Sequence, residues 1–327
     1  MTITMKWIAR SFAIATLALI ATEVPAQAWP SRQVRMIVNV GPGVGPDVVM
    51  RFVAERLSTK LGRPFMVDNV VGGGGVTPSN AMAQAAPDGH TFLLGGVGIV
   101  ATDRFLFKSL PYDPDRDFAP VGVLYDSTPF GLAVNVDLPV HTVADLIVLA
   151  KAQPGKLSYG SEQAGVQAIP GQWFTIRAGI DMVGVPYKTP AQMIPDLMGG
   201  RVQAIFGSYQ QLVPFHASGK MRLIAITREK RLPGRSDLPA IAETIPGFRV
   251  AGIGIVFAPS RTPQEIIAKL NGELDIIVKD PEYQKRMDSY GYTTLGTAGS
   301  TAEIAQFIKS EKENWTNVFR SVKIEPQ

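Results

Sequence analysis

Three glycine-rich stretches carry most of the chemistry this sequence could perform. "GPGVGPD" (Gly41 to Asp47) follows the apolar run Val34 to Val38 and has the outline of a nucleotide loop. A Walker loop closes on Gly-Lys-Ser/Thr, where this one closes on Pro46-Asp47. A dinucleotide fingerprint needs a third glycine where Pro46 stands. A smaller role survives. Pro46 suits the opening of a helix, Asp47 would complement the helix dipole in the first turn, and amides around Gly43 to Gly45 could donate to a small anion. A plain strand-to-helix turn explains the same residues equally well. "VGGGGV" (Val71 to Val76) demands positive φ or close approach of the backbone. It reads either as a hinge or loop closing over a cleft, or as a tight connection under a helix. In "YGSEQAG" (Tyr159 to Gly165), Ser161 and Gln163 offer side-chain hydrogen bonds, and the amides of residues 161 to 165 could cradle a carboxylate.

Catalytic and metal signatures are poor. His90, His141 and His216 fall in unrelated segments without metal spacing, and the chain has no cysteine, which argues against zinc or thiol chemistry. No G-x-S-x-G elbow occurs. The acidic run Asp113, Asp115, Asp117 lacks the glycine and distal glutamate of a calcium loop and reads as a solvated turn. No cofactor, metal or catalytic residue is expected.

These loops must be held by regular elements. Short β-rich runs alternate with helical periodicity almost throughout. "VRMIVNV" reads as a buried strand, and Val49, Phe52, Val53, Leu57 and Leu61 then recur at helical spacing up to Gly62. "RPFMVDNV" and "HTFLLGG" read as strands, with a helix opened by Thr77-Pro78 between them. "PVGVLY" and "GLAVNV" read as two further strands, followed by a helix capped by Thr142. "KLSYGSEQAG" leads to a helix starting near Pro170, and "DMVGVPYK" to one capped by Thr189-Pro190. "GGRVQAIFGSY", "KMRLIAITR" and "GIGIVFAPS" complete the strands. Three helical segments close the chain, with capping signals at Thr262 with Glu265 and at Thr301 near Glu303. This order implies a mainly parallel sheet with helices on both faces. The strand–glycine loop–helix units near residues 43 and 163 resemble each other, which suggests two α/β lobes facing one cleft.

The N-terminus sets the compartment. Lys6 and Arg10 precede the apolar "SFAIATLALIA", and Ala26-Gln27-Ala28 fits a signal-peptidase site. The run is too short for a spanning helix, which needs about 20 apolar residues. Residues 1–28 are therefore expected to be a cleaved signal peptide of Gram-negative type, delivering the rest to the periplasm. The 32 basic and 28 acidic residues give +4. Losing Lys6, Arg10 and Glu23 leaves +3. No Lys/Arg run suggests a nucleic-acid partner, and the mild basic balance favours acidic solutes.

From Trp29 onward the motifs resemble one family throughout. "WPSRQVRMIVNVGPGVGPD", "DNVVGGGGV", "AAPDGHTFLLG", "LPYDPDRDFAPV", "AKAQPGKLSYGS", "VPYK", "DLMGGRVQAIF", "SGKMRLIAIT" and "FAPSRTPQEIIAKLN" follow the order of the Bug-type, TctC-like solute-binding proteins of tripartite tricarboxylate transporters. The resemblance implies an α/β, type II periplasmic-binding fold, with two lobes joined by two crossovers around a ligand cleft. Residues 29–130 and 251–327 would form the first lobe and 131–250 the second. It also implies a monomeric receptor, not an enzyme, that passes a small organic acid to membrane permease subunits. The ligand would lie between Gly43, Val44, Gly45, Pro46 and Asp47 on one side and Ser161, Glu162, Gln163, Ala164, Gly165, Val166 and Gln167 on the other, with Gly207 nearby. This chain departs from the family pattern at Val44, Pro46, Glu162, Val166, Gly207 and Ile253, which removes donors and adds apolar surface. These departures favour an aromatic or partly apolar monocarboxylate over a simple di- or tricarboxylate. Glu162, where it faces the cleft, suits an amine-bearing ligand; otherwise it points to water. Two alternatives remain open: a receptor feeding a membrane sensor kinase, and an exported α/β hydrolase or lyase.

Overall fold

The computed structural model describes residues 29–162, 166–322 and 326. The signal-peptide expectation lies outside these residues. The apolar, β-branched run β1 (Val34–Val38) pairs in parallel with β2 (Phe65–Asn69) on one side and β3 (Thr91–Gly95) on the other. Between β1 and β2, α1 (Gly45–Leu61) buries Val49, Met50, Val53, Ala54 and Leu57 against this sheet. It ends as the sequence indicates, with Gly62 in the left-handed region at φ 68°. The quadruple glycine then leads into α2 (Val76–Ala83), and all of Gly72 to Gly75 take positive φ. The helix is capped by Gly75, so Thr77 and Pro78 lie inside its first turn rather than opening it.

The strand β4 (Phe118–Val134) is one continuous element of 17 residues, where the sequence suggests two strands. Its first part runs antiparallel to β9 (Ala251–Pro259), which in turn pairs with β3. Its last five residues leave that sheet and pair on both sides, with β7 (Ala204–Ser208) and β8 (Arg222–Ile226). The polar stretch Asp126 to Pro129, which looks like a break, is held by its pairing to β9 and by a bridge from Ser127 to Thr293. In the second sheet β5 (Ser158–Glu162) lies between β7 and β6 (Val183–Tyr187), parallel to both.

Helices cover both sheets. The second sheet carries α4 (Val143–Ala152), α5 (Ile169–Ala178), α6 (Pro190–Met198) and α7 (Tyr209–Ala217). The first carries a wide turn at residues 98–102 that runs into α3 (Asp103–Leu106), then α8 (Gln264–Lys279) and α9 (Pro281–Ser289). The long C-terminal α10 (Thr301–Ser321) sinks Trp315 and Val318 completely and stacks Phe319 on Phe105 at 4.7 Å. Two expected caps shift by one residue. Pro263, not Thr262, precedes α8, and Ser300, not Thr301, forms the reciprocal box with Glu303. The Thr142 cap is present and complete, with Asp145 returning the bond.

Two segments connect the lobes, and one side chain ties them together. The first is β4 itself; the second runs between Thr227 and Val250. Thr227 is fully buried. Its N–H donates to the Phe130 carbonyl at 2.9 Å, and its carbonyl accepts from Val250 N–H at 2.9 Å. Its hydroxyl accepts from Phe130 N–H at 3.0 Å and donates to the Val250 carbonyl. Both crossovers are therefore fastened to one buried residue. Thr227→Val keeps the shape but orphans a buried amide and a buried carbonyl. Urea unfolding is expected to show a loss of about 1–3 kcal/mol with an unchanged m-value. An unaltered midpoint would show that the hydroxyl contributes nothing.

Candidate ligand-binding site

A cavity of ≈ 620 Å³ lies where the C-terminal ends of the parallel strands of both sheets face each other. Its wall is built largely from helix N-termini. Val44 before α1, Gly75 before α2, Val97 before the turn leading to α3, Val166 in the turn before α5, Thr189 before α6 and Ser208 before α7 all line it. A helix leaves its first amides without intrahelical acceptors and carries partial positive charge at that end. Side chains cap helices elsewhere: Thr142 on α4, Asp280 on α9 and Ser300 on α10. None of the helices opening on the cavity has a side-chain cap among the described residues, although Thr189 and Ser208 are of the right type. The uncapped α8 follows Pro263, which lies outside the wall. The cavity thus gathers the positive ends of several helix dipoles, although part of their first amides is taken within the protein: Gly75 and Thr77 donate to the Gly72 carbonyl and Asp47 to that of Val44.

Of the residues expected at the site, Val44, Pro46, Glu162, Val166 and Gln167 line the cavity. Gly43, Gly45, Asp47, Ser161 and Gly207 stand behind that surface, and Gln163, Ala164 and Gly165 lie outside the described residues. Asp47 serves the loop, not the cavity. It is 1% exposed, and its carboxylate accepts from Gly43 N–H at 2.8 Å, Asn69 Nδ2 at 2.7 Å and Arg51 Nε at 3.0 Å. The Gly43 amide is therefore committed within the protein, which corrects the expectation that it donates to an anion. Burial opposes ionisation of Asp47, but the bonds from Arg51, Gly43 and Asn69 outweigh it and hold the carboxyl below its ordinary range.

Gly45 explains why this helix begins with glycine. A Cβ there would lie 1.9 Å from the Tyr292 hydroxyl and 2.7 Å from Gln210 Oε1 of α7. At this point α1, from the first sheet, meets a helix of the second, so the lobes touch across a residue without a side chain. Gly207 does a related job: a Cβ would press on Met193 at 3.2 Å.

Several wall residues carry no sequence signal. The loop Gly95-Gly96-Val97-Gly98-Ile99 after β3, together with Asn39, Ser79, Thr128, Lys188, Gln211 and Tyr292, lines the cavity. So do two acids. Asp103 is 2% exposed and accepts from the Tyr112 phenol at 2.5 Å; burial pushes it up to about 6, against the pull of Tyr112 and Arg104. Glu162 is half-buried at the end of β5, and burial raises its carboxyl above the usual range. The one signal for Asp103 was its place soon after a glycine loop. Among the described residues no group of three or more His, Asp or Glu could hold a metal, and no helix is long and apolar enough to cross a membrane.

The fold recurs in known proteins. A family model described as tripartite tricarboxylate transporter family receptor, TctC, matches residues 49–324. The chain belongs to that family. Its architecture is the type II periplasmic-binding fold, two α/β lobes joined by two crossovers around a cleft. Rpa4515 of R. palustris, solved with adipate, superposes with a TM-score of 0.82 at 34% identity, over 91% of this chain and 100% of its own. The periplasmic binding protein BugD gives 0.77 at 29% identity, over 91% and 100%. MatC (Rpa3494) of Rhodopseudomonas palustris, solved with bound malate, gives 0.76 at 27% identity, over 89% and 100%. This TctC-family chain is accordingly a solute-binding receptor by descent.

Two outcomes follow from the loop geometry. A carboxyl held below its ordinary value stabilises the fold fully above that value and less as pH falls through it. Asp47 therefore contributes at neutral pH and progressively loses its contribution below its ordinary value of 3.8. Asp47→Asn should flatten the acid limb of a stability-versus-pH curve while costing about 1–3 kcal/mol at pH 7. An acid limb identical to wild type would exclude this role. Separately, Gly45→Ala should press on Tyr292 within its own lobe and on Gln210 of the other. Its melting temperature and its ligand affinity should both fall, the latter about tenfold or more. Tyr292→Phe in the same chain should recover part of the loss.

Proposed function

We propose that this TctC-family chain is a periplasmic receptor that clamps a small carboxylate-bearing organic solute between its lobes and presents it to the permease subunits of a tripartite transporter, without transforming it. The observation that carries this reading is the ring of uncapped helix N-termini around the cavity. Such termini bind anions without needing a cationic side chain, because amides and dipole point the same way. The signal-peptide pattern of residues 1–28 supports export. The adipate and malate held by Rpa4515 and MatC support the carboxylate class.

The wall also argues for a ligand with an apolar body. Val44, Pro46, Val71, Ile99, Phe130, Val166 and Ile253 alternate with the donor positions. Val44 adds hydrocarbon without losing its amide, and Pro46 adds hydrocarbon where a threonine would offer an amide and a hydroxyl. We read this as a site for an aromatic or otherwise partly apolar acid, whose carboxylate sits on the amides while its body contacts the hydrophobic side chains. Lobe closure is the working step, driven by contacts that exist only when both walls reach the ligand.

A panel of aliphatic, aromatic and polyacid carboxylates, followed by calorimetry and thermal shift, tests this. Saturation with a true ligand at a hundred times its Kd should stabilise the fold by about 2.7 kcal/mol. If a non-acidic solute raises the melting temperature and no carboxylate does, the ligand class is wrong. If a bound acid is recovered chemically altered, the receptor reading fails in favour of an enzyme.

A further inference from the structure

Two carboxyl groups face the cavity from opposite lobes. Asp103 lies at the start of α3, beside Gly98, on the first lobe. Glu162 ends β5 on the second, and among the described residues it has neither a hydrogen-bond nor an ion-pair partner. The other charged or titratable groups in the wall are Lys188, exposed and next in sequence to Tyr187, the register partner of Glu162, and the phenols of Tyr125 and Tyr292. Among the described residues no arginine lines the cavity.

This is an unusual balance for a clamp that closes on an anion. Removing a carboxylate from water without a partner is costly, and closing the lobes over Glu162 and Asp103 with a purely anionic ligand adds repulsion to that cost. The helix N-termini can hold one carboxylate, but they do nothing for an acid side chain on the same wall. A ligand that brings its own cation removes both penalties at once.

We infer that Glu162 is a specificity-determining residue that accepts hydrogen bonds from a cationic amine on the ligand, so that this receptor selects an amino-bearing carboxylate over the same acid without the amine. The inference rests on the carboxylate-receptor reading above. Under it, the helix starts at Val44, Val97, Val166, Thr189 and Ser208 hold the carboxylate end, and Glu162 holds the ammonium. Asp103, tied to Tyr112, adds negative potential from the opposite wall. Charge-assisted bonds of this kind are about twice as strong as neutral ones, so the amine should decide the choice between otherwise matched acids.

Calorimetry on matched sets provides the test: ε-aminocaproate against caproate and adipate, and phenylalanine against hydrocinnamate. The amine-bearing member of at least one set should bind about tenfold or more tighter than its amine-free counterpart. Glu162→Gln should erase that preference, weakening the amine-bearing acid and strengthening the amine-free one, and Glu162→Asp, which keeps the charge, should retain part of it. Since the wall acids ionise as pH rises while the amine stays charged, and burial raises Glu162 above its ordinary range, affinity for the amine-bearing acid should climb as pH rises above the ordinary carboxyl range. Tighter binding of the amine-free acids by the wild type, or a preference that survives Glu162→Gln, overturns the inference and leaves the receptor reading standing. If no acid of either kind binds, both fall. Equal melting temperatures of the free wild type and Glu162→Gln establish that the variant is folded.

Discussion

The structure depends on one constraint of the α-helix: its first amides have no acceptors inside the helix, and where they are enclosed something else must accept from them. Six helical starts among the described residues are aimed at one cavity. On α4, α9 and α10 the chain solves the problem locally with Thr142, Asp280 and Ser300. Around the cavity it leaves the problem open. Gly75, Val97 and Val44 cannot cap, and the hydroxyls of Thr189 and Ser208 do not. An anion entering the cleft would meet the positive ends of several helices. That is the physical basis of the carboxylate site we propose, in a wall whose described residues include no arginine.

The same arrangement dictates the topology. Parallel strands place every following helix start at the same sheet edge, so two such sheets facing each other place all of these termini around one cleft. The lobes must then be joined without closing the cleft permanently. β4 achieves this by changing partners within a single strand, from β9 to β7 and β8, and Thr227 fastens it to the returning chain. One contact across the cleft is made where a side chain is absent, at Gly45 against Gln210, while Arg228 with Thr293 and Arg249 with Glu311 join the lobes through side chains.

Much of this was legible in the sequence because the relevant causes are local. Glycine-bounded apolar runs marked β1, β2 and β3; Gly62 marked the end of α1; the Thr142–Asp145 spacing marked a true capping box. What escaped depends on partners far away in the chain. The unity of β4 rests on β9, more than a hundred residues on, which carries the backbone through the polar stretch at Asp126 to Pro129. Asp47 reads as a helix-dipole carboxylate, yet its bonds to Gly43 and to Asn69 on β2 make it the brace of the loop. The helix Tyr209–Ala217 follows β7 with no turn residue between them and contains Pro214, so it leaves no local mark. The wall position of Asp103 arises only when the turn at Gly98 folds over it.

These distinctions bear on how such a receptor can change its ligand while keeping its fold. The brace at Asp47, the contact at Gly45 and the helix starts are backbone features, and they fix only that an anion is held. Val44, Pro46, Val166 and Ile253 add hydrocarbon to the wall without touching that framework. Glu162 adds a charge at the end of a strand whose pairing with β6 does not use the side chain. On our inference its cost falls on closure, when the carboxylate loses water and regains a partner from the solute. A residue that makes the empty clamp harder to shut, and the wrong ligand harder still, discriminates without strengthening any contact in the free protein. That places selectivity in the few side chains that replace donors, and affinity in the amides that every such cleft presents.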